Sequence, residues 1–137
     1  MKSQLPLGLR VTFAIGAVSS LIFALSSLLA PGAVADLSGL PHLDPVFQQA
    51  GGSTLGLAVG AALAFRAKTF AEVRIPLVMG FTTAVLSTVG GLYYAATAFH
   101  FNVKPYLLSV VLLSLYLAIA NGYYLLRSSR VTAAQAA

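Results

Sequence analysis

Four apolar runs alternate with short polar or basic segments along the chain. The runs cover about residues 9–30, 45–66, 75–98 and 105–126. Each is about 20 residues long or slightly longer, which is the length that an α-helix needs to cross the hydrocarbon core of a bilayer. The pattern therefore predicts an all-α, polytopic membrane protein, in which a single domain forms an antiparallel bundle of four transmembrane helices with short loops.

Proline and aspartate indicate where these helices begin and end. Pro31-Gly32 is expected to end the first helix, and the segment 33–44 is expected to be a loop. Asp44 is expected to cap the second helix, with Pro45 at its first position. Pro76 is expected to open the third helix after a basic loop at 66–74.

Small residues recur at helical spacing in the first three runs. In the second run they form a glycine zipper of Gly52, Gly56, Gly60 and Ala64. In the third they are Gly80, Ala84, Ser87 and Gly91, and in the first Ala17, Ser20, Ala24 and Ser27. Residues four apart share one helix face, so another backbone can approach such a stripe closely, which favours helix association in a bilayer. The stripes are predicted to pack against helices of this chain, of a second copy, or of a larger membrane complex.

Composition supports the membrane interpretation. Of the 137 residues, 58% are hydrophobic and only 8% are charged, against about 25% in soluble domains. The absence of cysteine excludes disulfides and thiolate metal sites. The net charge of +5 does not indicate a nucleic-acid partner, because the charges separate apolar runs instead of forming a patch.

The basic residues indicate the orientation. All but Lys104 fall on one side of a four-span arrangement: Lys2, Arg10, Arg66, Lys68, Arg74, Arg127 and Arg130. The positive-inside rule therefore places both termini in the cytoplasm. An alternative concerns the N-terminal region, because a positive start, an apolar run and Ala33-Val34-Ala35 also resemble a secretory signal. Cleavage there would remove the first helix and keep the orientation of the others.

Aromatic residues cluster around the second outer turn. Tyr93, Tyr94, His100 and Tyr106 are candidates for lining a pocket for a flat hydrophobic ligand such as a quinone or pigment. The alternative is an aromatic belt at the level of the lipid headgroups. The first outer segment contains Asp36, His42 and Asp44, whose spacing matches no metal-ligand motif. No metal and no cofactor are predicted.

Reactive chemistry is not evident in the runs. None carries an ionisable Asp, Glu, Lys, Arg or His near its middle, and no nucleophile, base and orienting group occur at recognisable spacing. Asn121 is the most deeply placed strong polar group, and it is expected to hydrogen-bond to another helix. The sequence thus favours a non-enzymatic membrane subunit in contact with lipids and other helices. A binder or carrier of a small hydrophobic ligand in the outer half of the bundle is the alternative, and a lipid-active enzyme is third.

One resemblance to a known family follows from the second run and its surroundings. Gln49-Ala50-Gly51-Gly52-Ser53-Thr54-Leu55-Gly56-Leu57 leads to Ala64-Phe65-Arg66, a basic loop and two further spans. This arrangement resembles small bacterial four-helix membrane proteins of the broad DoxX-like kind. The resemblance implies a location in the bacterial inner membrane, and it brings no catalytic residues to this chain.

Overall fold

The structure, a computed structural model, describes the backbone of residues 5–98 and 103–136 and the side chains of residues 5–98 and 103–128. This part of the chain is all-α and contains no strand. Its five helices are α1 (Leu7–Leu29), α2 (Pro31–Ser38), α3 (Asp44–Arg66), α4 (Phe70–Thr97) and α5 (Pro105–Ala136). The prediction of an all-α protein is confirmed.

Three of the described helices are long and apolar enough to cross a membrane. They are α1, α4 and the Pro105–Ser128 part of α5. The remaining long helix, α3, has 23 residues, the same number as α1. Its hydropathy is lower because Gln48, Gln49 and a series of glycines interrupt its apolar residues.

The segment expected to be a loop at 33–44 contains the helix α2. Pro31 does not only end α1; it also occupies the first turn of α2, where its missing N–H is not needed. Gly39 ends α2 with a left-handed φ of 74°, and its N–H donates to the Ala35 carbonyl at 2.8 Å. Val34 and Ala35, in the proposed signal cleavage site, are buried.

The start of α4 lies five residues before the predicted one, because Thr69 and Glu72 cap the helix there. Thr69 is the N-cap, and its Oγ1 accepts from the Glu72 N–H at 3.4 Å. The Glu72 carboxylate accepts from the Lys68 N–H at 3.1 Å. This is a variant of the capping box: the first bond satisfies an N–H group of the first turn, and the second reaches the residue before the N-cap. Pro76 therefore lies inside α4 instead of opening it.

Two other helix boundaries also differ from the prediction. Asp44 is the first residue of α3 and not its cap; the N-cap is Leu43, and no side chain caps this end. The last helix continues to Ala136 and does not end near residue 126.

The long helices form two pairs. Helix α1 packs along α3, and α4 packs along α5, whereas contacts between the two pairs are fewer. In the first pair the backbones approach closely at Gly51, where a Cβ atom would lie 2.9 Å from the Ala24 carbonyl oxygen. In the second pair, a Cβ at Gly91 would lie 2.5 Å from Val111 Cγ2. Glycine thus brings the helices together within each pair.

The two pairs meet in an apolar cluster at one end of the bundle. It consists of Leu5, Leu9, Phe13, Ala64, Ala67, Val73 and Leu77. We call this end the basic end, because it carries Arg10, Arg66, Lys68, Arg74 and Arg127. The accessible surface of the chain is 8611 Å², against roughly 6,800 Å² for a compact soluble protein of this mass. Much apolar surface is therefore left uncovered away from the cluster.

Candidate functional site

A cavity of about 650 Å³ lies between the two helix pairs. Residues of α1, α3, α4 and α5 line it, and most of the lining is apolar. This volume falls within the range of small-molecule sites, which is roughly 300–1,000 Å³.

The cavity is long. On α5 its lining extends from Tyr106 to Asn121, which at the rise of an α-helix is about 22 Å. On α1 the lining extends from Thr12 to Ser26, about 21 Å by the same rise. The cavity is therefore long enough to hold an extended chain.

Contacts between the helices show which residues lie at the same depth. A Cβ at Gly16 would lie 3.9 Å from Leu117 Cδ2 and 4.0 Å from Ala61 Cβ, which places α1, α3 and α5 in register at that level. A Cβ at Gly80 would lie 3.1 Å from Asn121 Nδ2. Asn121 thus lies near the basic end of the cavity, and Tyr106 lies near the opposite end.

The glycine zipper of α3 does not pack against another helix of the chain. A Cβ at Gly52, Gly56 or Gly60 would meet no atom within 4 Å among the described residues. Gly56 and Gly60 line the cavity and Gly52 does not; Gly52 and Gly56 are both exposed, and Gly60 is half-buried. The interpretation as packing within the chain is wrong for these three glycines, because Gly51, one residue away and turned by about 100°, faces α1. Ala64 is buried in the basic-end cluster.

The small residues of α4 are placed differently. Gly80 and Gly91 lie beside Asn121 and Val111 of α5. Ala84 is buried and also lines the cavity. Ser87 is exposed, and it contributes to the cavity lining.

Five hydroxyl groups of the lining donate hydrogen bonds to backbone carbonyls of their own helix. These bonds are Thr12 Oγ1 to the Gly8 carbonyl (2.9 Å), Ser19 Oγ to Ile15 (2.7 Å), Ser26 Oγ to Ile22 (2.7 Å), Thr54 Oγ1 to Ala50 (2.7 Å) and Ser109 Oγ to Tyr106 (2.7 Å). A hydroxyl satisfied in this way presents little polarity to the cavity. The lining is therefore more apolar than its count of serines and threonines suggests.

Asn121 differs from these five hydroxyl groups. Its side chain is buried, with an exposed fraction of 5%, and it lines the cavity. Its Oδ1 has no hydrogen-bond partner in the described part of the chain. Asn121 does face a neighbouring helix, at Gly80, but the hydrogen bond expected there is not made by this oxygen.

The three aromatic candidates that the structure describes, Tyr93, Tyr94 and Tyr106, do not form one pocket. Tyr106 is half-buried and lines the cavity. Tyr93, with an exposed fraction of 69%, and Tyr94 face outward, as residues of an aromatic belt do. His100 lies outside the described residues. A smaller hollow of about 230 Å³ between α4 and α5 is lined by aliphatic residues such as Leu92 and Val111.

The polar residues of the first outer segment make surface contacts. His42 Nε2 lies 3.0 Å from Asp36 Oδ1, and the Lys104 ammonium donates to the Asp36 carbonyl oxygen. Asp44 is exposed at the start of α3. Within ranges 5–98 and 103–136, no group of three or more His, Cys, Asp or Glu residues is placed to hold a metal ion.

Comparison of the chain with models of protein families, with curated proteins and with solved structures finds no match. The resemblance to DoxX-like proteins therefore stays a prediction. The geometry of the cavity is the basis on which a function is proposed.

Proposed function

We propose that this chain is an integral membrane protein that binds one elongated, largely apolar molecule in the cavity between its helix pairs. The observation that carries the proposal is the length and lining of that cavity, which is long and mostly apolar. A lipid with a single chain or a quinone with an isoprenoid tail matches this length and this lining.

All four long helices span the bilayer in this proposal, α3 included. Helix α3 lies along α1 and is as long as α1, so it traverses the same depth. Large apolar side chains of α3 point away from the bundle; Val59 and Leu63 are among them. Contact with lipid tails would cover these side chains. The basic end lies in the cytoplasm by the positive-inside rule, and the membrane is the bacterial inner membrane.

The cavity is accessible from the side of the bundle. Ile22 of α1 and Met79 of α4 line it with exposed fractions of 62% and 52%. An apolar molecule dissolved in the bilayer can therefore enter between the pairs without passing through water. None of the described lining residues is Asp, Glu, His, Lys or Arg. The lining therefore lacks the charged side chains and histidine that commonly act as general acids or bases. The proposed role is binding or carriage, not catalysis.

Competition photolabelling tests this proposal. The probe is a hexadecanol with a photoactivatable diazirine, added to the protein in lipid nanodiscs, and unlabelled hexadecanol is the competitor. We expect saturable labelling of peptides from the cavity-lining faces. Gly56→Leu places a side chain inside the cavity, so we expect it to abolish most of the competed labelling.

Gly52→Leu is the matched control, because Gly52 belongs to the same stripe, has the same open surroundings and lies outside the cavity lining. It should label like the unmodified protein. Equal labelling of the two variants, or labelling that hexadecanol does not compete, would contradict the proposal.

A second candidate is a non-enzymatic subunit that associates with a second copy of the chain through α3. The open space beside Gly52, at the exposed part of the stripe, favours this role. Gly52→Leu should then convert a dimer in nanodiscs or mild detergent into a monomer, as measured by light scattering. A monomer in the unmodified protein would refute association between copies.

A further inference from the structure

Four hydroxyl groups of the cavity lining have no hydrogen-bond partner in the described part of the chain. They belong to Ser20, Thr83, Ser87 and Ser114, and we call these four residues the hydroxyl band. They differ from the five lining hydroxyls that donate to carbonyls of their own helix. A hydroxyl in apolar surroundings without such a bond is unfavourable, because it has lost the hydrogen bonds that water would supply.

The oxygens of the hydroxyl band can be reached from the cavity. Three of the residues are half-buried, and Ser87 is exposed. Among the described side chains that are not exposed, the polar atoms with neither a partner nor accessible surface are Arg10 Nε, Ser27 Oγ and Asn121 Oδ1. The hydroxyl oxygens of the three half-buried residues are not among these atoms. A molecule in the cavity can therefore contact them.

Ser20 of α1 and Ser114 of α5 lie at nearly the same depth. Helix α1 begins at the basic end, whereas α5 approaches that end, so the two helices are antiparallel. Gly16 lies beside Leu117, and Ser20 is one turn farther from the basic end. Ser20 therefore lies opposite about residue 113 of α5, next to Ser114.

The two residues of α4 lie close to this depth. Gly80 lies beside Asn121, and Gly91 lies beside Val111. Interpolation between these contacts places Thr83 opposite about residue 118 of α5 and Ser87 opposite about residue 115. The hydroxyl band thus occupies about 8 Å along the bundle axis.

The hydroxyl band lies near the middle of the cavity. On α5 the lining extends from Tyr106 to Asn121, and on α1 it extends from Thr12 to Ser26. Ser114 and Ser20 lie close to the midpoints of these two ranges. An extended ligand that fills the cavity would therefore meet the four hydroxyls along its middle and not at an end.

We propose that the ligand carries a hydrogen-bond acceptor, such as the carbonyl of a ketone or an ester, near the middle of its chain and level with the hydroxyl band. Each hydroxyl supplies one donor, and the described lining contains no carboxylate that would accept it. This inference rests on the proposed function and adds the chemical class and the position of the ligand's polar group. It favours a chain interrupted by a carbonyl over a chain with oxygen only at its end.

Two isomeric ketones test the proposal, with hexadecanol as the reference. Dioctyl ketone has its carbonyl at the centre of the chain, and methyl pentadecyl ketone has the same atoms with the carbonyl near one end. Each competes with the diazirine probe in nanodiscs for the unmodified protein and for the double variant Ser20→Ala/Ser114→Ala. The ratio of the two half-maximal concentrations is compared between the proteins, so that partition into the bilayer cancels.

A second double variant, Ser19→Ala/Ser109→Ala, is the matched control. It changes one serine of the lining on each of the same two helices. Both of these hydroxyls already donate to carbonyls of their own helix at 2.7 Å. The control therefore removes two hydroxyl groups from the lining without touching the hydroxyl band.

We expect the preference for dioctyl ketone to be about 3- to 10-fold larger in the unmodified protein than in Ser20→Ala/Ser114→Ala. The control variant should keep the preference of the unmodified protein. An unchanged preference in Ser20→Ala/Ser114→Ala, or a loss in both variants, would overturn this inference, while competition by hexadecanol would keep the cavity as a binding site. Competition by none of the three compounds would overturn the proposed function and this inference together.

Infrared spectroscopy tests the hydrogen bond without any substitution. The stretching band of a carbonyl moves to lower frequency when the oxygen accepts a hydrogen bond. Dioctyl ketone with an isotopically labelled carbonyl, added to an excess of the unmodified protein in nanodiscs, should absorb at lower frequency than in nanodiscs without protein. An unshifted band would refute the inference even if the serine variants did not fold.

Discussion

Replacing Gly51 by alanine should weaken the contact between α1 and α3, whereas the same replacement at Gly56 should not. The two glycines lie in the same helix, and each substitution adds one methyl group. Each also reduces the conformational freedom of the unfolded chain by the same amount, which stabilises the helix by about 1 kcal/mol. Any difference between the two variants therefore reports the surroundings of the added methyl group.

The surroundings differ sharply. At Gly51 the new Cβ would lie 2.9 Å from the Ala24 carbonyl oxygen, 3.0 Å from Leu28 Cγ and 3.1 Å from Ser27 Cβ. The nearest atom belongs to the backbone, so α1 itself must move, and overpacking of this kind costs about 1–3 kcal/mol. At Gly56 the Cβ would meet no described atom within 4 Å. We expect Gly51→Ala to be about 1–3 kcal/mol less stable than Gly56→Ala.

The free energy of unfolding of both variants can be measured by titration with sodium dodecyl sulfate in mixed micelles, followed by circular dichroism. Gly56→Ala should be as stable as the unmodified protein or slightly more stable. If Gly51→Ala proved as stable as Gly56→Ala, α3 would not present Gly51 to α1. The assignment of Gly56 and Gly60 to the cavity would then fail as well, because it depends on the same rotation of α3.

Three further substitutions test other parts of the fold by the same measurement. Thr69→Ala removes the acceptor that caps α4 and should cost about 1 kcal/mol, whereas an unchanged stability would show that the capping box does not hold this end. Gly39→Ala places a side chain on a residue with φ of 74° and should cost about 1–2 kcal/mol; a stabilised variant would refute the left-handed end of α2. Gly91→Ala, whose Cβ would press on Val111, should be less stable than Gly90→Ala, whose Cβ meets no described atom within 4 Å; the reverse order would contradict the packing of α4 on α5.

The four long helices could be predicted from the sequence, and the short α2 could not, because hydropathy over about 20 residues depends on composition and not on contacts. Their ends depend on single hydrogen bonds. The Thr69-to-Glu72 spacing carries a capping-box signal that predicts the start of α4, but Pro76 lies five residues inside the helix and competes with that signal. Pro31 is compatible with the end of one helix and with the start of the next, and its sequence context does not decide between them.

The orientation of the glycine stripe could not be predicted. Spacing determines which residues share a helix face, but it does not determine what that face meets. Gly51 and Gly52 are adjacent in sequence, yet only Gly51 contacts α1, and their directions differ by about 100°. The cavity cannot be predicted from the sequence for a related reason, because its lining comes from four helices and depends on the rotation of each. Asn121 was recognisable by its polarity alone, and Tyr106 by its position among aromatic residues.

Native mass spectrometry of the protein taken from its own membranes in mild detergent tests the central claim most directly. We expect one bound molecule per chain, with the mass of a single-chain amphiphile, and we expect it to be absent from Gly56→Leu and present in Gly52→Leu. The claim that the cavity holds a ligand would be contradicted if the unmodified protein carried no bound molecule, or if both variants carried it in equal abundance.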